Sequence, residues 1–365
     1  MRSARIMGLL LGGMALAATG ALAPASAAAN PPDLVVPTAA YPTIQSAVDA
    51  AQPGDHIAVR PGTYREQVTI RKDLTITGAG AGKTTILAPE NLVPGSDGLN
   101  SIVFLDNAAS VTISRLAVSG PGSGTCDAGA LGAGIRVLGG AHLDLSHAAV
   151  SHIKDTPMAP CFRSANAILI GDFPVGAGSA AIRDSRITDY QGAGIVVLSE
   201  SSNATLLRNV VTGQKSISTD GIEFVEATGR AEQNTVSDNS CREPDPGCGT
   251  DFFTETQHAG ILANTGVAVT KNRLTGNQLG IYAFGTVETS HNTLIDNDYF
   301  GMALQDGTFD AVKDTIRGGG GGVAVIASAI DTTARLNRVK ITKTSGDPIQ
   351  KFECCGFTAT VTTKP

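Results

Sequence analysis

Apolar and polar residues alternate along this chain in short bursts separated by Gly, Asn and Asp, which is the period of strands rather than helices. The bursts share an opening, a small residue followed by Ile or another aliphatic. It recurs as Gly134-Ile135, Ala167-Ile168, Gly194-Ile195, Gly221-Ile222, Gly260-Ile261, Gly280-Ile281, Gly301-Met302 and Gly322-Val323. Five of the seven gaps between these anchors are 20 to 27 residues, and the other two, 33 and 39, hold Cys- and Pro-bearing inserts. A unit repeated at that period, sometimes padded, predicts a solenoid. One unit cannot bury its apolar face alone, but stacked turns enclose a continuous core between parallel strands.

Alternation also assigns the faces. With the aliphatic after the anchor pointing inward, Ile135/Val137, Ile168/Ile170, Ile195/Val197, Ile222/Phe224, Ile261/Ala263, Ile281/Ala283, Met302/Leu304 and Val323/Val325 form two interior rows. A second marker follows each of the last six anchors by 12 to 15 residues: Asn209, Asn234, Asn272, Asn292, Asp314 and Asn337. Amides stacked at a tight corner can hydrogen-bond from coil to coil. The outward row is then Arg136, Leu169, Val196, Glu223, Leu262, Tyr282, Ala303 and Ala324, with Leu138, Asn264, Phe284, Gln305 and Ile326 beside it. Such an apolar stripe demands either loops folded over it or a lateral interface, with copies of the chain or with an extended polymer. Its polar members Arg136, Asn264, Tyr282 and Gln305 are the candidate substrate contacts.

The start of the chain departs from the repeat. Arg2 and Arg5, an apolar run from Ile6 to Ala23 and small residues at Ala25-Ser26-Ala27 predict a secretory signal over residues 1–29. A single domain over 30–365 should follow, free in an oxidising extracellular space. Residues 40–55 read as a helix capped by Thr43 and stopped by Pro53-Gly54-Asp55, with Ile44, Ala47, Val48 and Ala51 on one face. Strand-like stretches Ile57-Val59, Val68-Ile70 and Leu74-Ile76 come next. The stretch YPTIQSAVDAAQPGDHIAVRPGTYREQVTIRKDLTITGAG resembles the entry into secreted right-handed parallel β-helix proteins of the pectin-lyase-like superfamily, including pectin esterases and the periplasmic copper-accessory β-helix family. The resemblance implies an all-β fold, a right-handed parallel β-helix with its open end plugged by the helix, and the repeat gives it roughly a dozen coils.

Charge narrows the partners. The chain carries a net charge of −6, and loss of the leader would leave 25 basic against 33 acidic residues, or −8. That balance argues against a nucleic-acid partner. No later segment is long and apolar enough to span a membrane. The absence of Trp removes the flat platform on which sugars often stack.

The cysteines fall in predicted loop inserts, over 121–130, 154–165 and 240–258, and at the C-terminal end. Cys126 and Cys161 precede their anchors by eight and six residues, which puts them on neighbouring coils within reach of one another. Cys241 and Cys248 bracket a Pro-rich insert and can close it. For Cys354-Cys355 a bond between neighbours is rare, so a cross-link to another loop stays open. Disulfide staples are the reading that suits a secreted chain, since no zinc-type spacing is present.

The chemistry-bearing cluster is Asp220, Glu223 and Glu226, followed by an insert with Glu243, Asp245, Asp251, Glu255 and His258. STDGIEF resembles the NTDG element of polygalacturonases, whose Asp is an acid/base partner, and NRVK at 337–340 resembles their RIK element. That resemblance implies Asp220 as a catalytic carboxylate; Glu223 lies beside it on the outer face, and the insert that follows can hold His258 or Asp251 opposite them. A lyase would instead need carboxylates holding Ca²⁺ and a base such as Arg136 or Lys215. The sequence thus predicts a secreted carbohydrate-associated protein, either a polysaccharide lyase or hydrolase on an acidic glycan or a non-catalytic binding or surface-structural protein using the stripe. Self-association through the stripe and Ca²⁺ at the acidic cluster are the accompanying expectations.

Overall fold

The strand-period segments pair in parallel with their counterparts one coil further on, and the anchors stack in register. The computed structural model describes residues 33–107, 110–122, 129–156, 165–173, 176–215, 218–240 and 258–365. The leader and Cys126, Cys161, Cys241 and Cys248 lie outside the described residues. Asp33–Pro365 forms one unit.

Three ladders run along it. The first holds the anchors, in strands such as Leu131–Leu138, Asn166–Ile170, Ile195–Leu198, Ile222–Val225 and Ala259–Ala263. The second includes His142–Ser146, Ser179–Arg183, Asn203–Leu207 and Thr228–Glu232. The third has eleven described strands, among them Ala149–Ile153, Arg186–Tyr190 and Val210–Thr212. Leu279–Ser290 and Phe300–Val312 run unbroken from the first ladder into the second, so those two ladders join into one sheet of 22 described strands. Eleven rungs in the third ladder agree with the dozen coils read from the repeat.

The interior rows are as alternation predicts: Ile135, Ile168, Ile195, Ile222, Ile261, Ile281, Met302 and Val323 are all fully buried in one continuous core. The structure also explains the glycine that precedes all of them but Ile168, which follows Ala167. A Cβ on Gly194 would sit 2.5 Å from the carbonyl oxygen of Gly221 on the next coil, and one on Gly280 would sit 2.4 Å from that of Gly301. Only a residue without a side chain lets the coils close at that point.

The corner between the second and third ladders is two residues long on every coil from Ser114 onward. Its first residue is left-handed, at φ between 52° and 58°, in Arg115, His147, Asp184, Arg208, Gln233, Lys271, His291, Lys313 and Arg338. A Cβ makes that conformation unfavourable by roughly 1 kcal/mol. The second residue compensates. Asn209, Asn234, Asn272 and Asn292 are buried, and each donates its backbone N–H and Nδ2 to the side-chain oxygen of the next member, at 2.7 to 3.1 Å, with Asp314 as the last acceptor. Each Nδ2 also bonds a backbone carbonyl one coil back. Thr289 donates to the other oxygen of Asp314 at 2.7 Å. A second, shorter ladder of Asn239, Asn277 and Asn297 lies after the third-ladder strands and was not anticipated.

At the N-terminal end the predicted helix spans Ile44–Ala50. Thr43 and Ser46 form its capping box, and Glu66 accepts the N–H groups of Ile44 and Gln45 at 3.0 and 2.8 Å. Ile44, Ala47 and Val48 join the core, so the helix closes the stack on that side. Near the other end Cys354 and Cys355 bond to each other, which answers the pairing that the sequence left open.

Candidate functional site

The outward row of the first ladder stacks as predicted, from Val196 through Glu223, Leu262, Tyr282 and Ala303 to Ala324. It is not an open apolar stripe. Leu169 and Val196 pack with Ala133 and Ala193 in one satellite cluster. Ala303, Ala324 and Ile326 pack with Phe300 and Leu279 in another, flanked by Leu262, Tyr282, Tyr299 and Phe352. The large exposed hydrophobics, Val93, Phe173 and Ile330, belong to neither cluster. Leu262, Tyr282 and Phe284 of the stripe remain half-buried. Alternation says which way a side chain points, not what covers it.

Three residues assigned to the site are taken up by the scaffold. Arg136, expected to face substrate, is wholly buried. Its Nε bonds Asp97 at 2.8 Å, Nη2 bonds Asp172 at 2.8 Å, and Nη1 donates to the carbonyl of Gly171. Asp220 is 6% exposed, and its Oδ1 accepts the N–H of Ala259 on the next coil at 2.7 Å. His258 is 1% exposed, its own N–H donating to Gln278 Oε1 at 3.0 Å and its carbonyl accepting from Leu279. Neither Asp220 nor His258 projects into an open groove. Lys215, the alternative base, pairs with Asp238 at 3.4 Å. Among the described residues no group of three or more His, Cys, Asp or Glu stands together to hold a metal ion, and Glu243, Asp245, Asp251 and Glu255 of the acidic cluster lie outside the described residues. No described helix is long and apolar enough to cross a membrane.

Glu223, Asn264, Tyr282 and Gln305 remain half-exposed. The Tyr282 hydroxyl donates to Gln305 Oε1 at 2.6 Å, and Gln305 Nε2 donates to Ser328 Oγ at 2.9 Å. Asp306, in the left-handed region, accepts the N–H groups of Ser328 and Ala329 at 2.7 and 2.9 Å. Burial works to raise the Asp306 carboxyl, but these donors outweigh it and hold the group low. Tyr282 moves the other way: burial first, then the negative charges of Asp306 and Asp220, push its phenol up to about 12. It is therefore a donor at neutral pH and not a base.

Next to this network, where the first ladder turns into the second, a cleft of about 410 Å³ is lined by Glu200, Glu226, Thr228, Asn264, Thr265, Phe284 and Gly285. The register of Ser199 with Val225 places Glu200 and Glu226 on adjacent coils. Phe284 stands against Tyr282 with ring centroids 4.4 Å apart. Asn264 Oδ1 is buried and accepts no hydrogen bond among the described residues. The sequence had singled out Asn264 and, for another role, Glu226. Glu200 carried no signal, because it lies in a turn whose position relative to the neighbouring coil is set only by the register.

Comparison with known proteins supports the architecture. Residues 173–339 match the family model described as a right handed beta helix region. No curated protein sequence matches the chain. Among solved structures, the mannuronan C-5 epimerase A-module of Azotobacter vinelandii is similar at 16% identity and a TM-score of 0.54, over 87% of this chain and 94% of that one. A GH87 alpha-1,3-glucanase catalytic unit of Streptomyces thermodiastaticus is similar at 16% identity and 0.53, over 93% and 70%. A GH136 lacto-N-biosidase of Eubacterium ramulus is similar at 14% and 0.55, and this chain spans 62% of its length. At such identities the likeness is one of fold.

Proposed function

We propose that this right-handed parallel β-helix protein is an exported carbohydrate-active protein that holds a glycan in the cleft between Glu200, Glu226, Asn264 and Phe284. The observation that carries the reading is the convergence in one cleft of two carboxylates, an unpartnered amide oxygen and a half-buried aromatic ring. A pyranose presents an apolar face and a rim of hydroxyls, which the ring and the polar groups match. Two carboxylates facing one sugar are also the minimum equipment for glycoside hydrolysis, one as acid and one as base or nucleophile. That favours a hydrolase over a lyase. The negative charge of the cleft favours a neutral glycan there over an acidic one.

A second reading is binding without turnover. It is favoured by the burial of Arg136, Asp220 and His258 against the scaffold, away from the cleft.

The test is a screen of purified protein against neutral glucans, pectate, alginate and glycosaminoglycans, following new reducing ends and unsaturated products, with binding measured alongside. Hydrolysis of a neutral glycan that falls at least a hundredfold in Glu200→Gln or Glu226→Gln, with unchanged melting, is the expected result. Binding that needs Phe284 and Asn264 but yields no product selects the second reading. Unsaturated product, or activity indifferent to both carboxylates, refutes the hydrolase assignment.

A further inference from the structure

The corner between the second and third ladders carries a charge distribution opposite to that of the chain as a whole. The left-handed position favours Gly, Asn or Asp, yet the stack holds five Lys or Arg and two His. These residues are in register, each donating its N–H to the coil beyond; Lys271 to Ser290, His291 to Val312, Lys313 to Asn337 and Arg338 to Lys364 are consecutive steps. One position into the third ladder a parallel column contains Arg186, Arg273 and Lys340, again in register from coil to coil. Beyond it runs a column of hydroxyls, Ser151, Thr188, Thr212, Ser237 and Thr275, which continues as Ile295, Arg317 and Thr342 on the last coils.

Some of these cations are neutralised locally. Arg208 forms a two-point pair with Asp184, and Lys271 pairs with Glu232. Arg273, Lys313, Arg338 and Lys340 are exposed, and no carboxylate among the described residues is within ion-pair distance of them. The nearest carboxylates in register on the second ladder are Asp310, which pairs with Arg335, and Glu288. Asp314 lies beneath the surface, where burial raises its carboxyl. The four coils from Arg273 to Lys340, about 4.8 Å apart, thus carry these four cations unevenly, with one at Arg273, none on the coil of His291 and Thr293, one at Lys313 and two at Arg338 and Lys340.

We propose that this corner is a docking surface for a linear polyuronate laid along the solenoid axis, its carboxylates meeting the cations at Arg273, Lys313, Arg338 and Lys340. The coil spacing is close to the length of one pyranose residue. Guanidinium forks and ammonium groups match carboxylates, and the neighbouring Ser and Thr hydroxyls suit the sugar hydroxyls. The columns hold no Phe, Tyr or Trp ring on which a nucleic-acid base would stack, which argues against single-stranded nucleic acid. The surface is distinct from the cleft, on a different edge of the coil, and does not depend on the cleft being catalytic.

The experiment measures binding of the full chain to polygalacturonate, alginate, heparin and a neutral glucan at several salt concentrations. Expected is binding to the two polyuronates that weakens with salt. The variant Lys313→Glu/Arg338→Glu/Lys340→Glu should bind them roughly tenfold or more weakly, at several tenths of a kcal/mol or more per contact. Lys313→Asn/Arg338→Asn guards against a folding artefact, since Asn suits the left-handed backbone: it should melt no lower than wild type and still lose binding. Glu200→Gln and Glu226→Gln should leave the polyuronate affinity unchanged, whatever becomes of cleft activity. Wild-type protein that ignores both polyuronates, prefers heparin by a wide margin, or binds equally well after charge reversal overturns the proposal.

Discussion

Arg136 and Arg208 make nearly the same contacts, Arg to Asp at 2.7 to 2.8 Å, in two regions that could hardly differ more. Arg136 sits on the outer face of the first ladder, sealed between Asp97 and Asp172 with no exposed surface. Arg208 stands on the corner between the second and third ladders, about half exposed, reaching one coil back to Asp184. The first region is irregular: inserts, satellite clusters and a cleft vary from coil to coil. The second repeats almost without change. The same chemical pair therefore stabilises one region and decorates the other, because desolvation decides what a charge is worth.

Substitution sharpens that contrast. Arg136→Met should destabilise the fold by roughly 3 to 5 kcal/mol, because it takes the cation from the buried Asp97 carboxylate, which keeps the Leu99 N–H, and the guanidinium donor from the Gly171 carbonyl. Denaturant melts against wild type measure it, and a loss below about 1 kcal/mol would show that water reaches the pair. A smaller effect is expected beneath the corner. Burial raises the folded-state carboxyl of Asp314 above its unfolded value, against hydrogen bonds from Thr289 and Asn292. Asp314 therefore stabilises the fold below the ordinary carboxylate value of about 3.9, and that contribution is lost as pH rises through the raised folded value. Asp314→Asn should remove this pH dependence and gain stability above that window by roughly 1 kcal/mol, the scale of one hydrogen bond. Melting curves from acid to neutral pH check the sign, and an unchanged pH slope would rule it out. The smallest change is expected at Arg208→Ala, whose partner Asp184 is held low chiefly by the hydrogen bond from Arg208. Both groups lie at the surface, where the pair is worth little. Its melting temperature should match wild type, and a clear drop would mean that the corner is less solvated than it looks.

The sequence made the regular region legible and the irregular one only in part. Gly-Ile anchors and the Asn209, Asn234, Asn272, Asn292 series are visible because coils need a small residue at the close approach and four successive coils place an amide at the corner, whereas Asn337 ends its strand and Val339 holds the corner position. The shorter ladder of Asn239, Asn277 and Asn297 had a signal too, an Asn two residues after the third-ladder strand, spaced as the anchors are. Glu223 and Tyr282 were placed correctly on the outer face. Arg136, Asp220 and His258 were not recognised as buried, since burial there depends on contacts between coils that alternation does not encode. The cleft at Glu200 was out of reach for the same reason, as it exists only once two turns of unequal length are set side by side.

The invariance of one corner also bears on how such a chain can diversify. From Ser114 onward exactly two residues separate the second ladder from the third, while the other two corners vary in length from coil to coil. An insertion at the invariant corner would displace an amide whose bonds reach both neighbouring coils, whereas one elsewhere leaves the pitch intact and closes a longer loop at modest entropic cost. Recognition loops can thus be exchanged at two edges of the solenoid while the third serves as its ruler. A grafted peptide belongs at the turns flanking the first ladder, where length is already free to change.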